Sequence, residues 1–194
     1  MRIFVAGATG VLGSRIVPLL VERGHTVAGM TRSEGNGPRL RDLGAQPVIC
    51  NVFDGDALTE AVRGFGPDLI LHELTDLPDN AAELPASQAA NARIRVEGTR
   101  NLIAAAQAGG CHRLISQSIA WPAPPGVGAD ALAELERATI DFGGVVLRYG
   151  QLYGPGTYYP DTVPGQPRVH VDEAARRTVA GLDAETGIVT IAAD

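Results

Sequence analysis

A glycine-rich turn near the N-terminus constrains the fold of this chain more than any other feature. Residues 2–6 (RIFVA) have the pattern of a short buried strand, and the segment GATGVLG at 7–13 leads directly into a helical pattern. Gly7 permits the unusual backbone dihedrals of so tight a turn, Gly10 lets a phosphate approach the backbone, and Gly13 lets the helix lie close to the strand. The free amides at the helix N-terminus face any anion held there. The sequence therefore predicts a pyrophosphate site, as in dinucleotide-binding domains.

The composition excludes several classes of protein. The chain has 194 residues and a formal net charge of −6, which fits one domain, residues 1–194, and argues against nucleic acid as a partner. No apolar run reaches the roughly 18 residues that cross a bilayer, and a strand follows Met1, so we expect a cytoplasmic protein with no membrane partner. Cys50 and Cys111 lack the spacing of a metal site, so we expect two reduced, buried thiols and assign no metal.

The chain contains no lysine, because all 16 of its basic residues are arginine. This excludes every mechanism that requires a lysine, such as a Schiff base, a P-loop or a catalytic Tyr–Lys pair. Any chemistry at the predicted site must therefore use other groups.

Strands and helices alternate along the rest of the chain. The predicted strands span 2–6, 26–30, 46–50, 69–72, 112–116, 145–149, 168–171 and 187–192. After the helix that follows the glycine turn, the predicted helices span 38–43, 56–63, 87–108, 130–141 and 174–182. Asp54 and Asp172 are the expected N-caps of the helices that follow them. The sequence therefore predicts an α/β fold of the Rossmann type: a doubly wound, mainly parallel sheet of about seven strands with helices on both faces.

Arg32 follows the second predicted strand, where a dinucleotide fold holds the adenosine ribose. An acidic residue there would accept hydrogen bonds from the 2′-hydroxyl of NAD, and none is present at the strand end. A guanidinium pairs well with a 2′-phosphate, so the sequence favours NADP(H) over NAD(H). The alternative is a solvated surface arginine.

Three segments together resemble the extended and atypical short-chain dehydrogenase/reductase superfamily, which includes NAD-dependent epimerases and dehydratases. They are GATGVLG at 7–13, GTRNLIAAA at 98–106 and LRYGQLYGPGT at 147–157. The resemblance implies that Asn51 and Val52 cradle the adenine, that residues 72–75 lie beside the ribose and phosphates, and that the loop after the sixth strand meets the nicotinamide. The cofactor-binding residues assigned from the turn, from Arg32 and from this resemblance are Gly7, Thr9, Gly10, Val11, Leu12, Gly13, Arg32, Asn51, Val52, Leu74, Thr75, Gly150 and Leu152.

The resemblance fails at the catalytic positions. Relatives place a Ser or Thr after the fifth strand and a Tyr and a Lys near the next helix, where this chain has Ile119, Gly128 and Leu132. Ser118 lies one residue early and either polarises a substrate carbonyl or satisfies backbone groups. We expect Ser116 and Ser118 to face opposite sides of the strand end. The chain is also shorter than extended members, which implies a reduced substrate lobe.

Tyrosine residues are concentrated near the expected substrate pocket. The four tyrosines of the chain are Tyr149, Tyr153, Tyr158 and Tyr159. The first two are candidate proton donors, together with Ser118 or a water that it holds. The alternative is that tyrosines pack in the loop with a hydroxyl in water.

Two ionisable residues end the fourth predicted strand. Glu73 either turns away from the phosphates or acts as a catalytic carboxylate. We expect His72 to bond backbone groups rather than to act as an acid or base.

Three functions remain open. The first, favoured by the superfamily, is an atypical NADP(H)-dependent oxidoreductase, or an epimerase or dehydratase, that acts on a small carbonyl or hydroxyl compound without a Tyr–Lys pair. The second is a non-catalytic NADP(H)-binding module that senses redox state and engages a partner. The third is a cofactor-free enzyme that has retained only the fold. By resemblance, helices 87–108 and 130–141 are where a homodimer would form.

Overall fold

Nine strands are found in the computed structural model, which describes residues 1–193. They are β1 (Arg2–Ala6), β2 (Thr26–Thr31), β3 (Gln46–Ile49), β4 (Leu69–His72), β5 (Leu114–Ile119), β6 (Val145–Tyr149), β7 (Gln151–Tyr153), β8 (Arg168–His170) and β9 (Gly187–Ile191). Seven form one sheet in the order β3-β2-β1-β4-β5-β6-β9, and β7 pairs with β8. Every pairing is parallel. The predicted Rossmann-type sheet is therefore confirmed.

Helices connect the strands and cover both faces of the sheet. They are α1 (Gly13–Glu22), α2 (Gly37–Asp42), α3 (Gly55–Phe65), α4 (Leu84–Arg93), α5 (Thr99–Ala108), α6 (Val127–Asp141) and α7 (Val171–Ala180). Short 3₁₀ turns, Glu34–Asn36 and Ala81–Glu83, precede α2 and α4. A π-helical segment, Ile94–Gly98, joins α4 to α5, so the helix predicted over 87–108 contains a wider turn. Asp54 caps α3 as predicted, since its Oδ1 accepts the N–H of Ala57 at 3.1 Å.

The strand order reverses at the centre of the sheet. β2 and β3 extend to one side of β1, and β4, β5, β6 and β9 extend to the other. In an open parallel sheet such a reversal leaves a crevice at the carboxyl ends of the strands, because the connections leave in opposite directions. The glycine turn directly follows β1 and so lies at this crevice.

Two apolar layers hold the helices to the sheet. On one face Ile3 packs in a cluster with Ile16 of α1 and Ala175 of α7. On the other face Phe4 packs in a cluster with Leu102 of α5. Neighbouring residues of β1 point to opposite faces, as the period of two along a strand requires. Full burial of each large apolar side chain stabilises the fold by about 1.5–3 kcal/mol.

The predicted fifth strand is misplaced. The sequence predicts residues 112–116, whereas β5 runs from Leu114 to Ile119 and pairs Ile115 with Val145 and Ile119 with Tyr149. The strand continues through Gln117 and Ser118, and Ser118 has a hydrogen-bond partner on α6.

The predicted cap of α7 is also wrong. His170 is the N-cap, and its Nδ1 accepts the N–H of Asp172 at 3.3 Å. Asp172 lies inside the first turn, where a carboxylate is favoured by the helix dipole.

The two cysteines are free and buried in the apolar layer that packs on α3 and α5, as predicted. Burial raises the pKa of both thiols. Within residues 1–193, no three His, Cys, Asp or Glu side chains are grouped so as to hold a metal ion. In the same part of the chain, no helix is both long and apolar enough to span a membrane.

Candidate functional site

The turn between β1 and α1 leaves no room for side chains at two of its glycines. Gly7 has a φ of 93°, and a Cβ there would lie 2.6 Å from the carbonyl oxygen of Glu73. A Cβ on Gly13 would lie 2.2 Å from the carbonyl oxygen of Gly7. Gly10 is instead exposed and borders a cavity, so its missing side chain keeps that cavity open. The turn therefore follows this path only with glycine at positions 7 and 13.

A cavity of about 250 Å³ lies against this turn, and we call it the cleft. Seven of the predicted cofactor-binding residues line it: Gly7, Thr9, Gly10, Arg32, Val52, Leu74 and Thr75. Val11, Leu12 and Gly13 continue the turn into α1, and Asn51 precedes Val52 on the loop after β3. The cleft thus brings together the glycine turn and the ends of β2, β3 and β4.

The segment after β3 forms one end of the cleft. Asn51 uses its Oδ1 to accept the N–H of Phe53 at 3.1 Å, and the Val52 carbonyl accepts Asn101 Nδ2 at 2.9 Å. Phe53 and Ile94 line the cleft with Val52 but were missed by sequence reasoning. Phe53 belongs to an apolar pair, 52–53, just before a capped helix, and this pattern could have indicated its place in the cleft. Ile94 lies in the π-helical segment, which no sequence pattern predicts.

Arg32 lines the cleft from the end of β2. Its side chain is 58% exposed, and its Nη2 lies 3.3 Å from Asp76 Oδ1. An exposed pair of this kind contributes at most about 1 kcal/mol, so the guanidinium can exchange partners readily. The hydroxyl of Thr31 accepts the N–H of Ser33 at 3.3 Å and Asn36 Nδ2 at 3.1 Å. The end of β2 therefore offers hydroxyl, amide and guanidinium groups to the cleft.

His72 ends β4 fully buried. Its Nδ1 accepts the N–H of Leu74 at 3.3 Å, in line with the expected backbone bond, and its Nε2 lies 3.0 Å from Thr99 Oγ1. Burial lowers the pKa of His72 to about 4, and the charge of Arg95 adds to this effect. The imidazole is therefore neutral at pH 7, and both ring nitrogens are already bonded.

Glu73 follows His72 and is only 6% exposed. Its Oε1 lies 3.4 Å from the hydroxyl oxygen of Tyr149, and its Oε2 has no hydrogen-bond partner among the described residues. Burial raises the pKa of this carboxyl to about 8, against a smaller opposing effect of the Tyr149 hydrogen bond. The group is therefore mainly protonated at pH 7.

Ser118 belongs to a polar cluster with α6 and β6. Its Oγ donates to Glu136 Oε1 at 2.6 Å, and the same carboxylate accepts Arg148 Nε at 2.9 Å and Nη2 at 2.5 Å. Burial opposes the ionisation of Glu136, but the bonds from Arg148 and Ser118 outweigh it and lower its pKa. Ser116 Oγ accepts the hydroxyl of Thr139, also on α6, at 2.9 Å. The two serines thus share one face of β5, and the expectation of opposite sides is wrong because residues two apart in a strand point the same way.

A second cavity of about 370 Å³ lies between the loop after β5 and α6, and we call it the α6 cavity. Eight of its eleven lining residues are apolar, and the polar cluster of Ser118 lies at one side; the lining residues are Ser118, Ile119, Ala120, Trp121, Pro122, Ala123, Ala129, Leu132, Ala133, Glu136 and Arg148. Leu132 stands where the resemblance expects a lysine. The wall at that position is therefore apolar.

The tyrosines do not converge on either cavity. Tyr149 is 3% exposed, with its hydroxyl oxygen 2.7 Å from Thr178 Oγ1, and burial raises its pKa well above the ordinary value. Tyr153 packs edge-on against His170, with ring centroids 5.2 Å apart. Tyr158 donates to the Pro78 carbonyl and Tyr159 to Gln151 Oε1. The hydroxyls of Tyr149, Tyr158 and Tyr159 thus each contact another group of the protein.

Gly150 lies between β6 and β7, Leu152 lies on β7, and neither lines the cleft. A Cβ on Gly150 would lie 2.7 Å from the backbone of Arg168, and Leu152 pairs with Val169. Their predicted contact with a nicotinamide stays a prediction.

Arg15 ties the glycine turn to this region and was missed by sequence reasoning. It donates to the Val11 carbonyl at 2.7 Å, to Asp172 Oδ1 at 2.8 Å and to the Pro155 carbonyl. Since the last two partners are far away in the sequence, no local pattern identifies this contact.

A parallel sheet that reverses its order at β1, with a glycine turn lining a cleft at the reversal, defines a Rossmann-type protein. Residues 3–121 match the model of the NAD dependent epimerase/dehydratase family, and the chain belongs to that family. The implied membership of the extended short-chain dehydrogenase/reductase superfamily is confirmed.

Two curated relatives extend this comparison. A 3-diazoavenalumate denitrifying reductase of a Streptomyces species is 36% identical over 236 aligned positions, covering 100% of this chain and 76% of the relative. A 4-hydroxy-2-methyl-3-oxo-4-farnesyl-3,4-dihydroquinoline-1-oxide ketoreductase of Stigmatella aurantiaca is 33% identical over 61% of this chain and 33% of its own length.

Solved structures share the fold at low identity. The UDP-glucose 4-epimerase of Thermotoga maritima has a TM-score of 0.81 and 18% identity, covering 99% of this chain and 77% of that chain. The enzyme of the same name from Thermus thermophilus has a TM-score of 0.78 and 22% identity, with 99% and 78% coverage.

Proposed function

We propose that this chain is an atypical NADP(H)-dependent oxidoreductase that acts on a small carbonyl or hydroxyl compound. The observation that carries the proposal is the cleft, where the ends of three strands meet a turn that excludes side chains at Gly7 and Gly13. The names of the relatives favour a reductase over an epimerase or dehydratase, since those from Streptomyces, Stigmatella aurantiaca and Stenotrophomonas maltophilia are named as reductases.

The residues of the cleft suit a dinucleotide in a definite direction. The amides of residues 11–13, where the turn enters α1, would bind the pyrophosphate, and the apolar end at Val52, Phe53 and Ile94 would enclose the adenine. When bound, the cofactor supplies or accepts the hydride. The chain would contribute orientation, exclusion of water and a source for the proton.

Arg32 supports NADP over NAD within this proposal. Its guanidinium would release the weak contact with Asp76 and pair with a 2′-phosphate. Titration with each nucleotide should show tighter binding of NADP, and Arg32→Gln should weaken NADP binding by about tenfold while leaving NAD unchanged. Arg23→Gln, an exposed arginine before β2 at the opposite edge of the sheet, is the matched control. Equal losses for both nucleotides in Arg32→Gln would contradict the assignment.

The substrate is proposed to enter the α6 cavity beside Trp121. Its apolar side chains suit the aromatic or aliphatic part of a carbonyl compound, and the one tryptophan of the chain, Trp121, allows binding to be followed by fluorescence. NADPH oxidation with a panel of ketones and aldehydes tests the activity, followed by Ser118→Ala, Tyr149→Phe and Tyr153→Phe on any substrate found. Tight nucleotide binding without turnover across the panel would defeat the enzyme proposal.

A non-catalytic NADP(H)-binding module is the second candidate. It is favoured by the positions of Gly128 and Leu132 on α6, by the absence of lysine and by the engagement of Ser118 with Glu136. A set of captured partners that differs between NADP and NADPH would support it, and indifference to redox state would count against it. Failure to bind either nucleotide would instead favour a cofactor-free enzyme.

A homodimer through the helical segment from Leu84 to Ala108 and α6 is a further proposal, based on the resemblance alone. A molar mass near 40 kDa by light scattering, twice the 20.2 kDa of one chain, is the expected result. A mass of one chain at high protein concentration would overturn it.

A further inference from the structure

Glu73 is the only buried acidic residue among residues 1–193. It lines the cleft directly behind the glycine turn, where its carbonyl oxygen lies against Gly7. Its side chain reaches the apolar layer between the sheet and α7. There its carboxyl group contacts Tyr149, and Tyr149 in turn contacts Thr178. The main chain of Glu73 thus borders the place where the proposed function puts a pyrophosphate, and its buried carboxyl group reaches Tyr149 behind that main chain.

Three contacts in this layer share the hydroxyl protons of Tyr149 and Thr178. Thr178 Oγ1 donates its single proton to the Ala174 carbonyl at 2.8 Å. The 2.7 Å contact between Tyr149 and Thr178 therefore needs the proton of Tyr149. Only lone pairs of the Tyr149 oxygen are then left to face Glu73 Oε1 at 3.4 Å. An ionised Glu73 accepts the Tyr149 proton only if the contact between Tyr149 and Thr178 gives it up, so all three contacts carry a proton only when Glu73 is a neutral donor.

Among residues 1–193, no positive charge pairs with an ionised Glu73. It forms no ion pair among the described residues, and its Oε2 has no hydrogen-bond partner there. Tyr149 of β6 is the titratable group that faces it. Thr178 of α7 and Gln117 of β5, whose amide donates to the Glu73 carbonyl, carry no charge. Burial accordingly raises the pKa of Glu73 to about 8.

We propose that the cleft binds a dinucleotide preferentially when Glu73 is protonated, so that nucleotide binding is coupled to proton binding at this side chain. The inference rests on the proposed dinucleotide function. A carboxylate behind Gly7 repels the negative charges of a pyrophosphate across a region of low dielectric constant, whereas the neutral acid does not. Because linkage is reciprocal, a bound nucleotide favours the protonated acid to the same extent.

Calorimetric titration of the full chain with NADP, between about pH 7 and about pH 10, tests the coupling. The wild-type Kd should be flat up to about pH 8 and then rise by up to about tenfold per pH unit, with proton uptake visible as heat that depends on the buffer. Glu73→Gln keeps a neutral donor toward Tyr149 and should remove both effects. Glu73→Leu removes the titrating group by a different route, in case the first variant does not fold. Glu60→Gln, exposed on α3, is the matched control and should keep the wild-type profile.

The outcomes separate the two proposals. A pH slope that is the same in the wild type and a folded Glu73 variant overturns the coupling alone. Binding of neither NADP nor NAD by any variant at pH 7 overturns the proposed function, and the coupling with it. A slope present in the wild type and in Glu60→Gln but lost in a Glu73 variant supports both.

Discussion

The two cavities along the carboxyl edge of the sheet are built in opposite ways. The cleft is shaped largely by backbone, with Gly7 and Gly10 bordering it where the turn leads into the N-terminus of α1. The α6 cavity is lined by side chains, and the polar ones bond to each other through Ser118, Glu136 and Arg148. We therefore expect the first to receive the anion of the proposed function, and the polar groups of the second to stabilise the fold. Polar residues beside a cavity do not by themselves indicate catalysis.

The largest expected effect tests the backbone construction of the cleft. Gly13→Ala places a Cβ 2.2 Å from the Gly7 carbonyl oxygen, so the turn must shift. We expect the free energy of unfolding in urea to fall by about 3 kcal/mol and nucleotide binding to be lost. Gly64→Ala in α3 is the matched control, because a Cβ there meets nothing within 4 Å, and it should stabilise by up to about 1 kcal/mol. Wild-type stability and nucleotide affinity in Gly13→Ala would show that the turn is not shaped by this contact.

The next effect concerns Glu73, whose side chain is buried behind the backbone that borders the cleft. The pKa of Glu73 is raised from its ordinary value of 4.5 to about 8 in the folded protein. The unfolded chain therefore binds fewer protons between these values, and the free energy of unfolding falls as the pH rises through this window. At about pH 7 the buried carboxyl lowers the free energy of unfolding by about 3 kcal/mol, and below about pH 4.5 this cost disappears.

Glu73→Gln should remove that cost and stabilise the protein near neutral pH. Urea unfolding at several pH values measures it, with Glu60→Gln as the exposed control on α3. A variant that loses stability at pH 7, or that keeps the wild-type dependence on pH, would show that the carboxylate is compensated in the folded protein. The cleft would then tolerate a negative charge behind its glycines.

The features readable from the sequence are those fixed by local physics. Continuous apolar strands, the spacing of Gly7, Gly10 and Gly13, and the cap at Asp54 each reflect requirements within a few residues, and they predicted the sheet and the glycine turn. The boundary of β5 was wrong because a hydrogen bond to Glu136 on α6 keeps its polar end within the strand.

The remainder of the site depends on contacts between distant residues. Arg15 reaches Asp172 over 157 positions, and Tyr149 reaches Glu73 over 76, so no local pattern reveals either pair. The π-helical segment that brings Ile94 to the cleft has the composition of an ordinary helix. The engagement of Ser118 is likewise invisible until α6 is placed beside β5.

The smallest expected effect decides whether Ser118, at the side of the α6 cavity, is structural or catalytic. Ser118→Ala removes one hydrogen bond from Glu136, which keeps both bonds from Arg148, so the free energy of unfolding should fall by about 1 kcal/mol while the Kd of NADP stays unchanged. Ser87→Ala, whose hydroxyl bonds a carbonyl within its own helical segment, is the control and should change stability by less than about 0.5 kcal/mol. Urea unfolding and calorimetric titration measure the two quantities. Unchanged stability with a fall of more than about tenfold in kcat/KM on any substrate found would instead place Ser118 on the reacting group. The contrast between the two cavities would then fail, because the polar cluster would take part in catalysis rather than stabilise the packing of β5, β6 and α6.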